Sequence, residues 1–212
     1  MRVDAVLFDW DGTLYDSVPS CFRIYKMIFK KLGINSLTYE LFREEFCADY
    51  HAYYGRCGIG KEKWKEVDSI WVEEFGKIEG RIPLFPDVRE TLEELREKGI
   101  KTGLVSNGSG VRIRRELRND GISGLLDVVV TADEAPEFKP SPEGIRMALE
   151  EIGVEGKNCF YVGDLREDIR AGRAAGTVTA AVLTGVHKRE KLETERPDYI
   201  LDKVGEVLKL ID

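Results

Sequence analysis

Glutamine is missing altogether from this 212-residue chain, and histidine occurs only at positions 51 and 187. The four cysteines, Cys21, Cys47, Cys57 and Cys159, show neither C-x-x-C nor any other metal-ligand spacing, which argues against a thiolate metal centre. They read as buried or incidental thiols of a reducing compartment; a Cys47–Cys57 bridge is the alternative that heat-adapted cytosolic proteins allow. The missing glutamine beside abundant Glu, Lys and Arg is itself a heat-adapted composition. No charged-then-apolar leader opens the chain and no apolar run approaches bilayer-spanning length. A membrane partner is therefore not expected, and the cytoplasm is the default compartment. Positive charge is also short: 32 Lys and Arg against 39 Asp and Glu leave a net charge of −7. That balance argues against nucleic acid as a partner, because phosphate backbones demand a basic face.

What is present is a series of polar clusters, each just past a strand-like stretch. Residues 3–8 (VDAVLF) form a mostly apolar run of the length of a strand buried on both faces. Asp9 follows it, at the carboxyl end where open parallel sheets keep their chemistry. Asp9 and Asp11, separated by Trp10 and followed by Gly12-Thr13, suit a carboxylate nucleophile with a neighbouring acid/base. Taken alone, such a pair favours that chemistry only modestly over a turn or helix start. Ser106-Asn107-Gly108 follows the apolar-rich stretch 100–105, Lys139-Pro140 follows 126–131, and GDLRED at 163–168 follows 159–162. Parallel strands bring such ends together, so four coincidences in one order outweigh the bland reading of each.

With FDWDGT at 8–13, SNG at 106–108, KPSPE at 139–143 and GDLRED at 163–168, the chain resembles the haloacid dehalogenase-like hydrolase superfamily. Within it, the phosphoglycolate phosphatase-like branch is the better match, and the likeness extends to DSVP at 16–19, AAG at 174–176 and RPDY at 196–199. The resemblance implies an α/β fold: a Rossmann-like parallel sheet, with the first strand central, flanked by helices and carrying an inserted α-helical cap.

The residue pattern agrees with that expectation. Strands are expected at 101–106, 126–131, 159–163 and 179–183, alternating with helices. Asp87 to Glu90 looks like a capping box for a helix that Gly99 stops. Ser141-Pro142 looks like an N-cap and first turn for a helix closed by Gly153, and 164–175 reads as a helix closed by Gly176. Residues 17–82 break the alternation: apolar positions recur there at helical spacing, and 12 of the 20 aromatic residues fall within it, as expected of a segment with its own small core. The expected division is a core of 1–16 and 83–212 and a cap of 17–82.

Asp9 is the expected nucleophile and Asp11 the general acid, then the base for water. Ser106 and Lys139 would bind the phosphate, together with Gly12, Thr13, Asn107 and Gly108 through a nest of backbone N–H groups. Asp9 and Asp164 would hold Mg²⁺ through carboxylates, with Asp168 either a further ligand or an outer-shell support through water. Asp164 and Asp168 would project from one face of a helix start, and the resemblance adds the Asp11 carbonyl. An acid at position 11 favours phosphoryl transfer over carbon–halogen cleavage, by analogy with the family. Arg112, Arg114, Arg115 and Arg118 read mostly as a solvated helix face, Glu167 as a supporting acid, and His51 and the 56–61 loop as surface features. The expected reaction is Mg²⁺-dependent hydrolysis of a small phosphorylated metabolite, phosphoglycolate first, by a monomer or homodimer. A phosphomutase is the alternative, weakened because residues 17–31 lack the histidine that the family's mutases carry there; a non-catalytic phosphometabolite-binding protein is the other.

Overall fold

Alternate residues of the first strand, β1 (Ala5–Phe8), face opposite sides of a sheet, and both sides are apolar. Val6 and Phe8 join one buried cluster while Ala5 and Leu7 join a second, which is why the strand reads as an unbroken apolar run. In the computed structural model, which describes residues 2–78 and 80–211, five further strands complete the sheet. These are β2 (Lys101–Val105), β3 (Val128–Val130), β4 (Cys159–Gly163), β5 (Val178–Val182) and β6 (Tyr199–Leu201). Their order is β3-β2-β1-β4-β5-β6 and every pairing is parallel. Ala5 lies in register with Lys101 on one side and Cys159 on the other, so the first strand is central as expected.

The crossover helices α5 (Val88–Glu97) and α6 (Gly110–Asn119) bury Leu92, Leu95, Ile113 and Leu117 against the Val6–Phe8 face. On the opposite face α7 (Glu143–Ile152) and α8 (Arg166–Ala175) supply Ile145, Ala148, Leu149 and Ala171. Truncating Phe8 to Ala would cost about 3–5 kcal/mol, the usual penalty for a fully buried aromatic. Gly103 in β2 is a packing requirement, since a Cβ there would stand 2.4 Å from Val128 Cγ1 and 2.6 Å from Leu7 Cδ2.

Between β1 and α5 runs a helical insert of α1 (Val18–Lys31), α2 (Tyr39–Glu45), α3 (Tyr50–Arg56) and α4 (Trp64–Gly76). Its aromatic rings pack around Tyr25, which lies 5.2 Å from Tyr53 and within 6.4 Å of Trp71. The insert does not own a separate core. One buried cluster continues from Phe8 through Trp10, Leu14 and Tyr15 to Tyr25, Phe42 and Val67.

Three local expectations are corrected. Asp87 does not close a capping box; its carboxylate accepts the Gly205 N–H at 2.7 Å instead, tying α5 to the C-terminal 3₁₀ turn. Helix α8 starts at Arg166, leaving Asp164 in the preceding turn. Strand β6 was not expected, being three residues long with Tyr199 exposed; Asp198 anchors it by accepting the Thr179 N–H and hydroxyl, both at 2.8 Å. All four cysteines are free thiols. No helix among the described residues is long and apolar enough to cross a membrane.

Candidate active site

Because β1, β2 and β4 are adjacent and parallel, the residues following them meet at one sheet edge. Asp9 is fixed there by its N–H bond to the Val162 carbonyl, 2.9 Å, and Ser106 by its N–H bond to Val130, 3.0 Å. Lys139 enters from the β3–α7 loop. Its ammonium donates to Asp9 Oδ1 at 2.5 Å, Asp168 Oδ1 at 2.6 Å, the Tyr161 hydroxyl at 2.9 Å and the Val105 carbonyl at 3.2 Å. The loop is held by Asn107, whose side-chain oxygen accepts the Lys139 N–H at 2.9 Å and whose amide donates to the Lys139 carbonyl at 3.3 Å. The Asn107 side chain is thus committed to placing the lysine.

Asp9, Asp164 and Asp168 are buried, and one carboxylate oxygen from each lies within 4.8 Å of the others. Asp164 and Asp168 converge without sharing a helix face. Asp164 Oδ2 accepts the Val186 N–H at 2.7 Å and Oδ1 the Thr13 hydroxyl at 3.3 Å, while Asp168 accepts the Leu165 N–H at 2.9 Å. Glycines press close on Asp164: a Cβ at Gly185 would stand 2.0 Å from its Oδ2, and one at Gly12 2.8 Å.

The electrostatics follow from burial. Loss of water raises Asp9 to about 7, with Lys139 pulling the other way. Burial, then the neighbouring Asp168 and Asp9, push Asp164 well above the usual carboxylate range. Burial also disfavours the charge on Lys139, but Asp168 and Asp9 overcome it and hold the ammonium well above an ordinary lysine. Three buried carboxylates against a single ammonium, with oxygen the only ligand type offered, fit a hard divalent cation.

Asp11 has a different partner. Its two oxygens receive the two terminal nitrogens of Arg112 on α6, one at 3.1 Å and the other in a shorter contact. Burial would raise this carboxyl, but the Arg112 guanidinium outweighs it and holds Asp11 below its ordinary value. Arg112 is therefore no part of a solvated face, unlike the exposed Arg114, Arg115 and Arg118. Gly12 and Thr13, expected among substrate contacts, shape the turn: their N–H groups donate to the Tyr15 and Trp10 carbonyls at 2.8 and 3.2 Å. Ser106 Oγ accepts the Gly108 N–H at 3.1 Å. Glu167 is buried on α8 but lies outside the three-carboxylate group. His51 pairs with Asp68 at 3.0 Å and stacks on Trp64, while Arg56 bonds the Glu45 carbonyl, so both serve contacts within the insert.

Sequence reasoning missed Tyr161 and Arg112. Tyr161 is one of the inward positions of an apolar strand, and its hydroxyl finds the lysine only once β2 and β4 flank β1. For Arg112 a signal existed: Glu116, four residues on, is its helical partner at 3.3 Å.

The chain also has known relatives. It is 34% identical to a phosphoglycolate phosphatase of Aquifex aeolicus, covering 100% of this chain and 97% of that protein. To the pyrophosphatase PpaX of Bacillus velezensis it is 31% identical, covering 99% and 96%. A haloacid dehalogenase-like family hydrolase of Streptococcus pneumoniae superposes with a TM-score of 0.86 at 25% identity, over 98% of each chain. The family profile described as haloacid dehalogenase-like hydrolase matches residues 3–176. The chain is an enzyme and belongs to the haloacid dehalogenase-like hydrolase family.

Proposed function

We propose that this hydrolase removes phosphate from a small phosphorylated metabolite by way of an aspartyl-phosphate on Asp9. The observation that carries the reading is the buried Asp9 carboxylate in a 2.5 Å contact with Lys139, within reach of Asp164 and Asp168. Asp9 attacks phosphorus, the bond to the leaving oxygen breaks, and that oxygen takes a proton from Asp11. Arg112 holds Asp11 ionised in the free enzyme, so Asp11 takes up that proton from solvent on binding substrate. Water then attacks the same phosphorus, gives its proton to Asp11, and the Asp9–phosphorus bond breaks. Lys139 supplies fixed positive charge to Asp9 and to the incoming phosphate, and the Ser106 hydroxyl donates to a non-bridging oxygen.

Mg²⁺ suits this site: the Asp9, Asp164 and Asp168 carboxylates and the Asp11 carbonyl would hold it, and it would neutralise phosphate charge. The helical insert acts as a cap that covers the sheet edge and selects the leaving group. Phosphoglycolate is the leading substrate, supported by the Aquifex aeolicus relative, and pyrophosphate comes second, supported by the Bacillus velezensis one.

The test is phosphate release from a panel of phosphoglycolate, pyrophosphate, sugar phosphates and nucleoside monophosphates, in Mg²⁺ or EDTA. Release in Mg²⁺ that vanishes in EDTA and in Asp9→Asn is the expected result. Conversion of a sugar phosphate to its isomer without free phosphate would instead establish the mutase.

A further inference from the structure

Trp10 and Asp11 are neighbours in the chain, yet they are also joined the long way round, through α6. The Trp10 indole N–H donates to Glu116 Oε2 at 2.7 Å, Glu116 holds Arg112 at 3.3 Å, and Arg112 forks onto Asp11. Burial along this loop is graded. The Glu116 side chain is 0% exposed, that of Arg112 12% and that of Asp11 33%. Arg112 Nη1 is shared between Glu116 and Asp11 while Nη2 goes to Asp11 alone, so the guanidinium ties a partly exposed carboxylate to a fully buried one.

Two further features fit this arrangement. A Cβ on Gly108 would stand 2.5 Å from Arg112 Nη2, so the glycine of the Ser106-Asn107-Gly108 turn leaves the room the guanidinium occupies. From the helical insert, Phe75 of α4 lies with its ring centroid 5.0 Å from the guanidinium carbon, a distance at which a cation and a ring attract. A bidentate fork fixes a carboxylate in both distance and plane, which a flexible ammonium does not.

We propose that Arg112 is a positioning residue for Asp11, holding its carboxylate where it meets the attacking water. The inference rests on the aspartyl-phosphate reading and deepens it. Glu116 and Trp10 act as the anchor, and Phe75 extends the arrangement to the insert.

The test separates the two halves of the reaction. With p-nitrophenyl phosphate the departing phenolate needs no proton, so transfer to Asp9 proceeds without help from Asp11. Release of phosphate from Asp9 still needs Asp11 to take the proton of water. Arg112→Ala should give a full burst of one p-nitrophenolate per enzyme, followed by turnover slowed about 10- to 100-fold and a KM lowered with it, so that kcat/KM changes little. With an alkyl phosphate, both burst and turnover should fall. Arg112→Lys should recover part of the rate, and Glu116→Gln should repeat the defect in milder form should the alanine variant fold poorly.

Turnover of Arg112→Ala at the wild-type rate overturns the proposal. So does a burst reduced in proportion to activity, because that pattern reports a lost folded fraction whose survivors are unimpaired. Wild-type protein in Mg²⁺ that releases phosphate from neither compound fails the phosphatase reading as well. Wild-type turnover with an unaffected Arg112→Ala fails the positioning role alone.

Discussion

The floor of the site and the seam where the helical insert meets the sheet are built on different principles. On the floor, side chains bind side chains: Lys139 meets Asp9, Asp168 and Tyr161 at strand ends. Along the seam, side chains mostly bind main-chain carbonyls of the facing segment. Arg43 of α2 donates to the Val186 carbonyl at 2.5 Å and to Gly185 at 3.4 Å, and the His187 ring bonds the Phe46 carbonyl at 3.0 Å. Lys191 adds a bond to the Glu44 carbonyl. The floor depends on which residues occupy four motifs, whereas the seam depends mainly on where two backbones meet. Chemistry tied to residue identity therefore concentrates on the floor, and adjustment of the insert falls to the seam.

Removing the ammonium should have the largest effect. Lys139→Met leaves Asp9, Asp164 and Asp168 buried without their counter-charge, and breaking such a buried pair costs about 3–5 kcal/mol. Phosphate release should fall below detection. The melting temperature should drop steeply in EDTA and recover substantially in Mg²⁺, since a bound cation stabilises the folded form. A melt equally low in both buffers would mean that the three carboxylates do not bind the ion.

The seam should respond to pH in its own way. His187 is fully buried, accepts the Arg166 N–H on Nδ1 at 3.0 Å and gives its Nε2 proton to Phe46. It is therefore neutral, and burial, reinforced by Lys191, lowers it to about 3 from the ordinary 6.5. Between those values the unfolded chain takes up a proton that the folded one does not, so stability falls as pH drops from 6.5 toward 3. The loss is on the order of 4 kcal/mol across that window. Denaturant titrations in Mg²⁺ at several pH values should show it, and His187→Gln should flatten the profile; an unchanged slope in the variant would assign the dependence to other groups.

Where floor and seam touch, at Gly185, the effect should be intermediate. A Cβ there would stand 2.0 Å from Asp164 Oδ2, beside Val186, whose N–H that oxygen accepts and whose carbonyl Arg43 binds. Gly185→Ala should therefore displace Asp164 and weaken Mg²⁺ binding about 10- to 100-fold, the range for disturbing a ligand's support. Calorimetric titration of Mg²⁺ into protein without substrate measures this; unchanged affinity would remove Asp164 from the ligand set.

The same contrast explains what could be read in advance. Asp9, Ser106, Lys139 and Asp164 were legible because each follows a strand, and a parallel sheet with β1 at its centre gathers those ends. Strand β6 was not, because three residues with an exposed tyrosine carry no apolar run. Asp87 had the chemistry of a cap and spent it on Gly205, a partner 118 residues away that local spacing cannot reveal. The seam was illegible for a related reason: a carbonyl accepts a bond whatever its side chain, so Gly185, Val186 and Phe46 leave no residue-type signal. Arg112 fell between, its helical pairing with Glu116 visible but its reach to Asp11 set by the packing of α6 beside β1.

The smallest effect tests whether the seam influences the floor at all. Phe75 touches Arg112 through its ring face and stacks on Trp71 at 4.7 Å within the insert. Phe75→Leu keeps most of the buried volume and removes the ring, so the cation–ring attraction of about 0.5–2 kcal/mol is lost. If Arg112 holds Asp11 partly through that contact, turnover should fall severalfold with a burst on p-nitrophenyl phosphate like that of Arg112→Ala, only shallower. The double variant should then lose less than the two single losses combined, because residues sharing one contact are not independent. Additive losses would show Phe75 acting through the insert's own packing, leaving Arg112 anchored by Glu116 and Trp10 alone.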